Sequence, residues 1–174
     1  MSCIGSISKQ FAYYKQIAEK TFDQLTEEQL FWKYNEESNS IANIVHHLNG
    51  NMLSRWTDFL TSDGEKIGRN RDSEFEETLK TKTEMLAFWD KGWDCLFAAL
   101  DSISDEDLSK LIYIRNQEQT LMEALHRQLA HYPYHIGQIV FLGKMMCNED
   151  WKSLSIPKGK SVEFNAEKFS LDKE

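Results

Sequence analysis

Apolar side chains recur every three to four residues along four long segments of the chain, which is the period of an α-helix with one buried face. The predicted helices run from about Ser6 to Gln24, from Asn39-Ser40 to near Asp63-Gly64, from Phe75–Thr78 to about Leu100, and from about Thr120 to Met146. Four amphipathic helices joined by polar segments predict a four-helix bundle. The aromatic residues Trp56, Trp89 and Trp93 fall on the apolar faces and are assigned to the core.

The segments between the long helices are shorter and more polar. Thr26 and Ser104 each precede acidic residues and can cap a short helical turn. Residues 111–119 could be extended, residues 65–76 read as a polar loop, and the tail from Ser153 has no helical period. The predicted fold is all-α: a four-helix bundle in one domain, residues 1–174, with two short extra helical turns and an irregular C-terminal tail over the surface.

Two short segments of the chain resemble each other. TFDQLTEEQL (21–30) and ALDSISDEDL (99–108) align with three identities, and each lies between two long predicted helices. The simplest explanation is one helix-pair unit used twice. The two copies would then pack about a pseudo-twofold axis.

Composition narrows the functional classes. The 174 residues suffice for one core, and the net charge is −8 with basic residues scattered along the chain. No positive stripe is present, which argues against nucleic acid as a partner. The three cysteines form no CxxC pair and no disulfide framework, no secretory signal opens the chain, and no apolar run reaches membrane-spanning length. We therefore expect a cytoplasmic protein without a membrane partner.

The histidines are unevenly distributed, and their spacing predicts a metal site. His131 and His135 stand four apart on the fourth helix, so their side chains project from one face and can reach one ion. His126 points about 140° away from His131, because successive residues turn by about 100°. A third ligand would come from the second helix, where the helical wheel does not separate His46 from His47.

The predicted ligand pair lies at the edge of the apolar face of the fourth helix, at the mouth of the bundle. Pro133 sits between the two histidines and removes one helical hydrogen-bond donor. One interpretation is a kink that opens the ligand face. The other is that the helix starts afresh near Tyr132 with Pro133 in its first turn.

Four segments carry a resemblance to a known family. They are SIANIVHHLNGNMLSRWTDFLTSDGEK (40–66), RNRDSEFE (69–76), RQLAHYPYHIGQIVFLGK (127–144) and WKSLSIPKGKSVEFN (151–165). They resemble the DinB/YfiT-like superfamily, closest to a branch of unknown function. The resemblance implies a four-helix bundle, often a homodimer, with a three-histidine metal site. The family's ligand before the HL-motif leucine corresponds to His47, and the other two correspond to His131 and His135; Pro133 departs from the family pattern.

The same resemblance implies a chemistry. Characterised relatives include thiol S-transferases that use bacillithiol, mycothiol or glutathione, and a mycothiol-dependent maleylpyruvate isomerase. The expected activity is conjugation of a low-molecular-weight thiol, such as bacillithiol, to a small electrophilic substrate at one divalent ion (Zn, Ni or Fe). The alternatives are a non-enzymatic, stress-related metal-binding dimer and a metal-dependent hydrolase. No catalytic residue is assigned; candidates for contacts with the cofactor or substrate are Asn51, Arg55, Tyr134 and Gln138.

Overall fold

The computed structural model describes residues 2–170, which are mainly helical. The helices are α1 (Cys3–Phe22), α2 (Glu27–Phe31), α3 (Ile41–Trp56), α4 (Lys82–Asp101), α5 (Leu121–Cys147) and α6 (Ser161–Ser170). The strands are β1 (Leu111–Ile114) and β2 (Gln117–Thr120), and short 3₁₀ helices span Asp72–Phe75, Asp105–Ser109 and Asn148–Asp150. Within residues 2–170, no helix has both the length and the apolar character needed to cross a membrane. The predicted all-α class is confirmed.

The long helices α1, α3, α4 and α5 form the bundle. Its two most extensive helix interfaces are α3 against α4 and α1 against α5. If the repeated segments mark two copies of one unit, α1 corresponds to α4 and α3 to α5. A twofold axis that relates these pairs would map the α3–α4 interface onto the α5–α1 interface. The helix pairing therefore agrees with the predicted pseudo-twofold arrangement. The short helices α2 and Asp105–Ser109 occupy equivalent places after α1 and α4, as predicted.

Aromatic side chains fill the centre of the bundle. The rings of Phe11, Trp93 and Tyr132 pack with centroids 5.7–6.3 Å apart, and Trp89 lies 5.3 Å from Trp93. All four side chains are buried, and so is Trp56. The predicted core role of the three tryptophans is confirmed. Burial of each such side chain contributes about 1.5–3 kcal/mol.

Side-chain caps determine where the helices begin. Ser40 and Thr120 form capping boxes at the starts of α3 and α5, close to the predicted starts. The predicted start of the third long helix at 75–78 is wrong, because Thr81 forms a capping box with Glu84 and α4 begins at Lys82. Residues 72–75 form a separate 3₁₀ helix instead.

The predicted end of the second long helix near Asp63-Gly64 is also wrong, since α3 ends at Trp56. Asp58 has a φ of 47°, a left-handed conformation that a right-handed helix cannot accommodate. Phe59 is nevertheless buried in the following turn. The apolar period therefore continues beyond the helix, which explains the overextended prediction.

The extended segment at 111–119 is confirmed as an antiparallel hairpin, in which Leu111 pairs with Thr120. Thr120 ends β2 and also caps α5, so the hairpin leads directly into the helix. α5 is continuous through Pro133. The interpretation in which the helix starts afresh near Tyr132 is therefore wrong.

The C-terminal segment is only partly irregular. Residues 153–160 are irregular, as predicted, but residues 161–170 form α6, whose side chains are all exposed. The periodicity argument missed α6 because the helix buries no face, and its Glu, Ala and Lys content favours a helix through local propensity. Residues 171–174 of the predicted tail lie outside the described residues.

Two glycines of α5 provide a test of its packing against α1. A Cβ on Gly143 would lie 2.5 Å from Thr21 Cγ2, whereas a Cβ on Gly137 would meet no described atom within 4 Å. We expect Gly143→Ala to lower the free energy of unfolding by about 1–3 kcal/mol through overpacking. Gly137→Ala should raise it by about 0.5–1 kcal/mol through lower entropy of the unfolded chain. Urea denaturation measures both, and equal effects would contradict the packing described.

Candidate metal centre

Three imidazole rings from two helices meet beside the bundle core. His131 and His135, one turn apart on α5, have their Nε2 atoms 3.1 Å from each other. His47 of α3 reaches the same place, with its Nε2 3.4 Å from that of His131. The ligand atoms of the three residues all lie within 4.8 Å of one another. This group could hold a metal ion, as the sequence predicts.

The other histidines lie elsewhere. His46 faces another side of α3, where its Nδ1 is 3.0 Å from Thr78 Oγ1 and its ring packs on Phe88. His126 is exposed, as the helical wheel predicts. The wheel left His46 and His47 as alternatives for the third ligand, and the structure places His47 in the cluster.

Each clustered histidine has an oxygen atom against its Nδ1. Glu74 Oε2 lies 2.9 Å from His47 Nδ1, Gln128 Oε1 lies 3.0 Å from His131 Nδ1, and Gln138 Oε1 lies 3.2 Å from His135 Nδ1. An oxygen acceptor at Nδ1 selects the tautomer that carries its proton there. The three Nε2 atoms are then left with lone pairs.

The donor set fits a divalent cation. In the Nδ1–H tautomers, the Nε2 lone pairs of His131 and His135 face one another across 3.1 Å, which is repulsive between two acceptors. A cation between the rings converts that repulsion into coordination. Histidine ligands whose second nitrogen is fixed by a carboxylate or carbonyl oxygen are the usual arrangement in metalloproteins.

The protonation states agree with this arrangement. Burial, reinforced by the neighbouring positive groups, lowers the pKa of His131 to about 3. Burial and the proximity of His47 lower the pKa of His135 to about 4. Both imidazoles are therefore neutral at pH 7, which is the form that binds metal ions.

Glu74 is the residue that links the cluster to the loop between α3 and α4. Its carboxylate binds His47 and also accepts two hydrogen bonds from Arg69, at 2.6 Å from Nε and 2.8 Å from Nη2. Burial raises the pKa of Glu74, but the hydrogen bonds from His47 and Arg69 outweigh it and lower the pKa below its ordinary value. Glu74 thus stays ionised and orients His47.

Gly50 on α3 makes room for this carboxylate. A Cβ at position 50 would overlap the Glu74 side chain. A glycine within a helix costs about 0.5–1 kcal/mol relative to alanine. At position 50, the absence of a side chain allows the Glu74 carboxylate to approach α3 closely and contact His47.

The candidates for ligand contacts fall in different places. Asn51 is buried, lines the cleft beside the histidines and accepts a hydrogen bond from the Tyr132 hydroxyl at 3.1 Å. Arg55 also lines the cleft, and its guanidinium donates to the Gly64 carbonyl and, at 2.9 Å, to Glu65. These two residues are thus in reach of a ligand in the cleft.

Gln138 and Tyr134 do not line that cleft. Gln138 contacts His135 Nδ1, so it can orient this candidate metal-binding histidine but does not face the cleft. The ring of Tyr134 lies 5.1 Å from that of His135, but the side chain is 64% exposed on the outer face of α5 near Phe141. Tyr134 points away from the cleft because neighbouring residues of an α-helix are turned by about 100° from each other, and the adjacent His135 faces the cleft.

The cleft over the three histidines has a volume of about 260 Å³. Its wall is formed by α3, α5, the loop before α4 and the β1–β2 turn. The lining residues are His47, Asn51, Arg55, Arg69, Arg71, Phe75, Arg115, Arg127, Gln128, His131 and His135.

Sequence reasoning missed Glu74 and Gln128. Glu74 lies 27 positions after His47 in a segment interpreted as a polar loop, and no spacing rule connects the two. The one available signal was that residues 69–76 are among the segments on which the family resemblance depends. Gln128 precedes His131 by three residues, which places the two side chains on one helix face and could have been noticed.

The fold and the site define a class of protein, a helical bundle with a three-histidine site that could hold a metal ion. Residues 2–160 match the family described as "Protein of unknown function (DUF1572)". Because the match covers most of the chain, the protein belongs to this family. The comparisons with curated proteins and with solved structures gave no match.

The contact between Glu74 and His47 can be tested through metal affinity. We expect Glu74→Gln to weaken binding of zinc by about 10–100-fold, because His47 loses the carboxylate that orients its ring. Competition with a chromogenic chelator measures the affinity, and circular dichroism checks folding. The matched control is Glu76→Gln, an exposed carboxylate in the same loop. Unchanged affinity in Glu74→Gln would contradict the role of Glu74.

Proposed function

We propose that this protein is a metal-dependent enzyme in which His47, His131 and His135 hold one divalent ion. We further propose that it conjugates a low-molecular-weight thiol to a small electrophile. The observation that supports the proposal most strongly is the convergence of three Nε2 atoms at the wall of a cleft.

The number of ligands favours an enzyme over a purely structural metal site. Structural zinc sites use four protein ligands, whereas catalytic sites use three and leave a position for water or substrate. Among residues 2–170, the group that could hold an ion has three members. The ligand that completes such a site therefore comes from outside the protein, and the cleft gives it access.

The residues of the chain act mainly by positioning. Glu74, Gln128 and Gln138 fix the three rings through Nδ1, so the Nε2 atoms are held in place before anything binds. A divalent ion bound there would lower the pKa of a thiol from about 8.5, so that it is a nucleophile at neutral pH.

The thiol would have to be a small molecule. None of the three cysteines lines the cleft. The Cys95 thiol lies near the Thr57 hydroxyl, and the Cys147 thiol lies near the Gln24 carbonyl. A thiol cofactor such as bacillithiol, as the resemblance to the DinB/YfiT-like superfamily implies, fits this requirement. We place the reaction in the cytoplasm, where small thiols are kept reduced.

A thiol-transfer assay tests the proposal. Metal-loaded protein is mixed with bacillithiol or glutathione and a chlorodinitrobenzene. The thiolate sulfur attacks the ring carbon, a carbon–sulfur bond forms, chloride leaves and the thiol proton passes to buffer. We expect arylated thiol to form faster than with chelator-treated protein. His131→Ala should abolish the difference, and His126→Ala, which removes an exposed histidine of the same helix, should keep it.

The proposal would be contradicted if no pair of thiol and electrophile reacts above the chelator-treated background while metal content is confirmed. In that case the alternatives are a hydrolase and a metal-binding protein without catalysis. Release of a chromophore from an ester in the same samples separates these two.

A further inference from the structure

All five arginines of the chain line the cleft over the three histidines: Arg55, Arg69, Arg71, Arg115 and Arg127. The chain also contains fifteen lysines, and no lysine among residues 2–170 lines this cleft. The arginines come from α3, the loop before α4, the β1–β2 turn and α5, so they are scattered in the sequence and assembled by the fold. Such a separation of arginine from lysine indicates a requirement for the guanidinium group.

The two inner arginines are held by carboxylates. Arg55 donates to Glu65 at 2.9 Å and Arg69 donates to Glu74 at 2.6 Å and 2.8 Å, and both arginine side chains are 5% exposed. Their charges are largely balanced, so they serve to build the wall of the cleft. Nε of Arg55 is nevertheless a buried donor with no hydrogen-bond partner in the described part of the chain.

The outer arginines present their guanidinium groups to solvent. Arg71 and Arg127 are exposed, and neither forms an ion pair within residues 2–170. Arg71 lies 5.9 Å from the ring centroid of Phe75, a contact that orients the group and leaves its charge in place. The Arg115 side chain is half exposed, with Nε 3.3 Å from Glu65.

The backbone at Arg115 supports a functional reason for its position. Arg115 and Asn116 have φ values of 56° and 58°, a left-handed pair that favours asparagine and glycine in a two-residue hairpin turn. The Asp63 carboxylate holds the turn by accepting the N–H groups of both residues, at 2.8 Å and 2.7 Å. Residues in sparsely populated backbone conformations cluster at functional sites, and Arg115 is such a residue at the wall of the cleft.

The chemistry of arginine identifies the ligand class. Its planar group binds carboxylates and phosphates through two parallel hydrogen bonds, which the lysine ammonium cannot do. A cleft of about 260 Å³ suits a small molecule. The protein as a whole carries a net charge of −8, which disfavours a polyanion such as nucleic acid.

We propose that the cleft binds a small organic anion whose carboxylate or phosphate group is held by Arg71, Arg115 and Arg127. Anion binding depends on the arginines and requires no metal ion. The further statement, that this anion is the substrate or thiol whose reacting atom faces the three histidines, rests on the function proposed above.

Isothermal titration calorimetry at constant ionic strength tests the proposal. Inorganic phosphate and succinate are the probes, with succinamide as an uncharged control, on metal-free and metal-loaded protein. We expect at least one anion to bind the metal-free protein, and Arg127→Gln to weaken that binding about tenfold through loss of charge-assisted hydrogen bonds. Arg127→Lys should lose less affinity, because lysine keeps the positive charge but cannot form the two parallel hydrogen bonds of a guanidinium group. Lys144→Gln removes one charge from α5 outside the cleft and should leave the affinity unchanged.

Binding of phosphate alone supports a phosphate ester as ligand, and binding of succinate alone supports a carboxylate. The proposal is overturned if neither anion binds, or if Lys144→Gln and Arg127→Gln weaken binding equally, since net charge would then explain the effect. It is also overturned if an anion binds only the metal-loaded protein, since the proposed binding requires no metal ion. Anion binding by a protein without thiol transfer would contradict the proposed function alone.

Discussion

The hydrogen bond between Glu74 and His47 is the contact on which the rest of the site depends. Glu74 lies in the loop between α3 and α4, and its carboxylate joins that loop to α3 through His47 and Arg69. The bond sets the tautomer of His47 and directs Nε2 towards His131. Gly50 leaves the space that allows the carboxylate to approach. A loop that is polar in sequence is thereby fixed at the wall of the cleft.

Charge alternates outward from the histidines. His47 contacts Glu74, Glu74 contacts Arg69, and the next carboxylate, Glu65, contacts both Arg69 and Arg55. Each buried charge in this series of contacts therefore has a neighbour of opposite charge, which offsets the cost of removing it from water. Removing one member would leave its partner uncompensated. The outer arginines add positive charge to this series, because Arg71 and Arg127 form no ion pair within residues 2–170. We therefore expect the cleft to attract anions although the protein is acidic.

The parts of this structure that follow local rules could be predicted from the sequence. The helical period gave the four long helices, and the spacing of His131 and His135 gave the pair of ligands. The parts that depend on the fold could not be predicted. The apolar period continues past the end of α3 to Phe59, and α6 forms without burying any face. Neither Glu74 nor the convergence of the arginines has a signature in spacing, because loops and separate helices bring these residues together.

The central claim is that His47, His131 and His135 bind one divalent ion through Nε2. Crystals grown with zinc and measured at the zinc absorption edge test it most directly. We predict one anomalous peak per chain, about 2.0–2.1 Å from each of the three Nε2 atoms. A zinc ion coordinated by Nδ1 atoms, or no anomalous peak between these rings in zinc-saturated protein, would contradict the account.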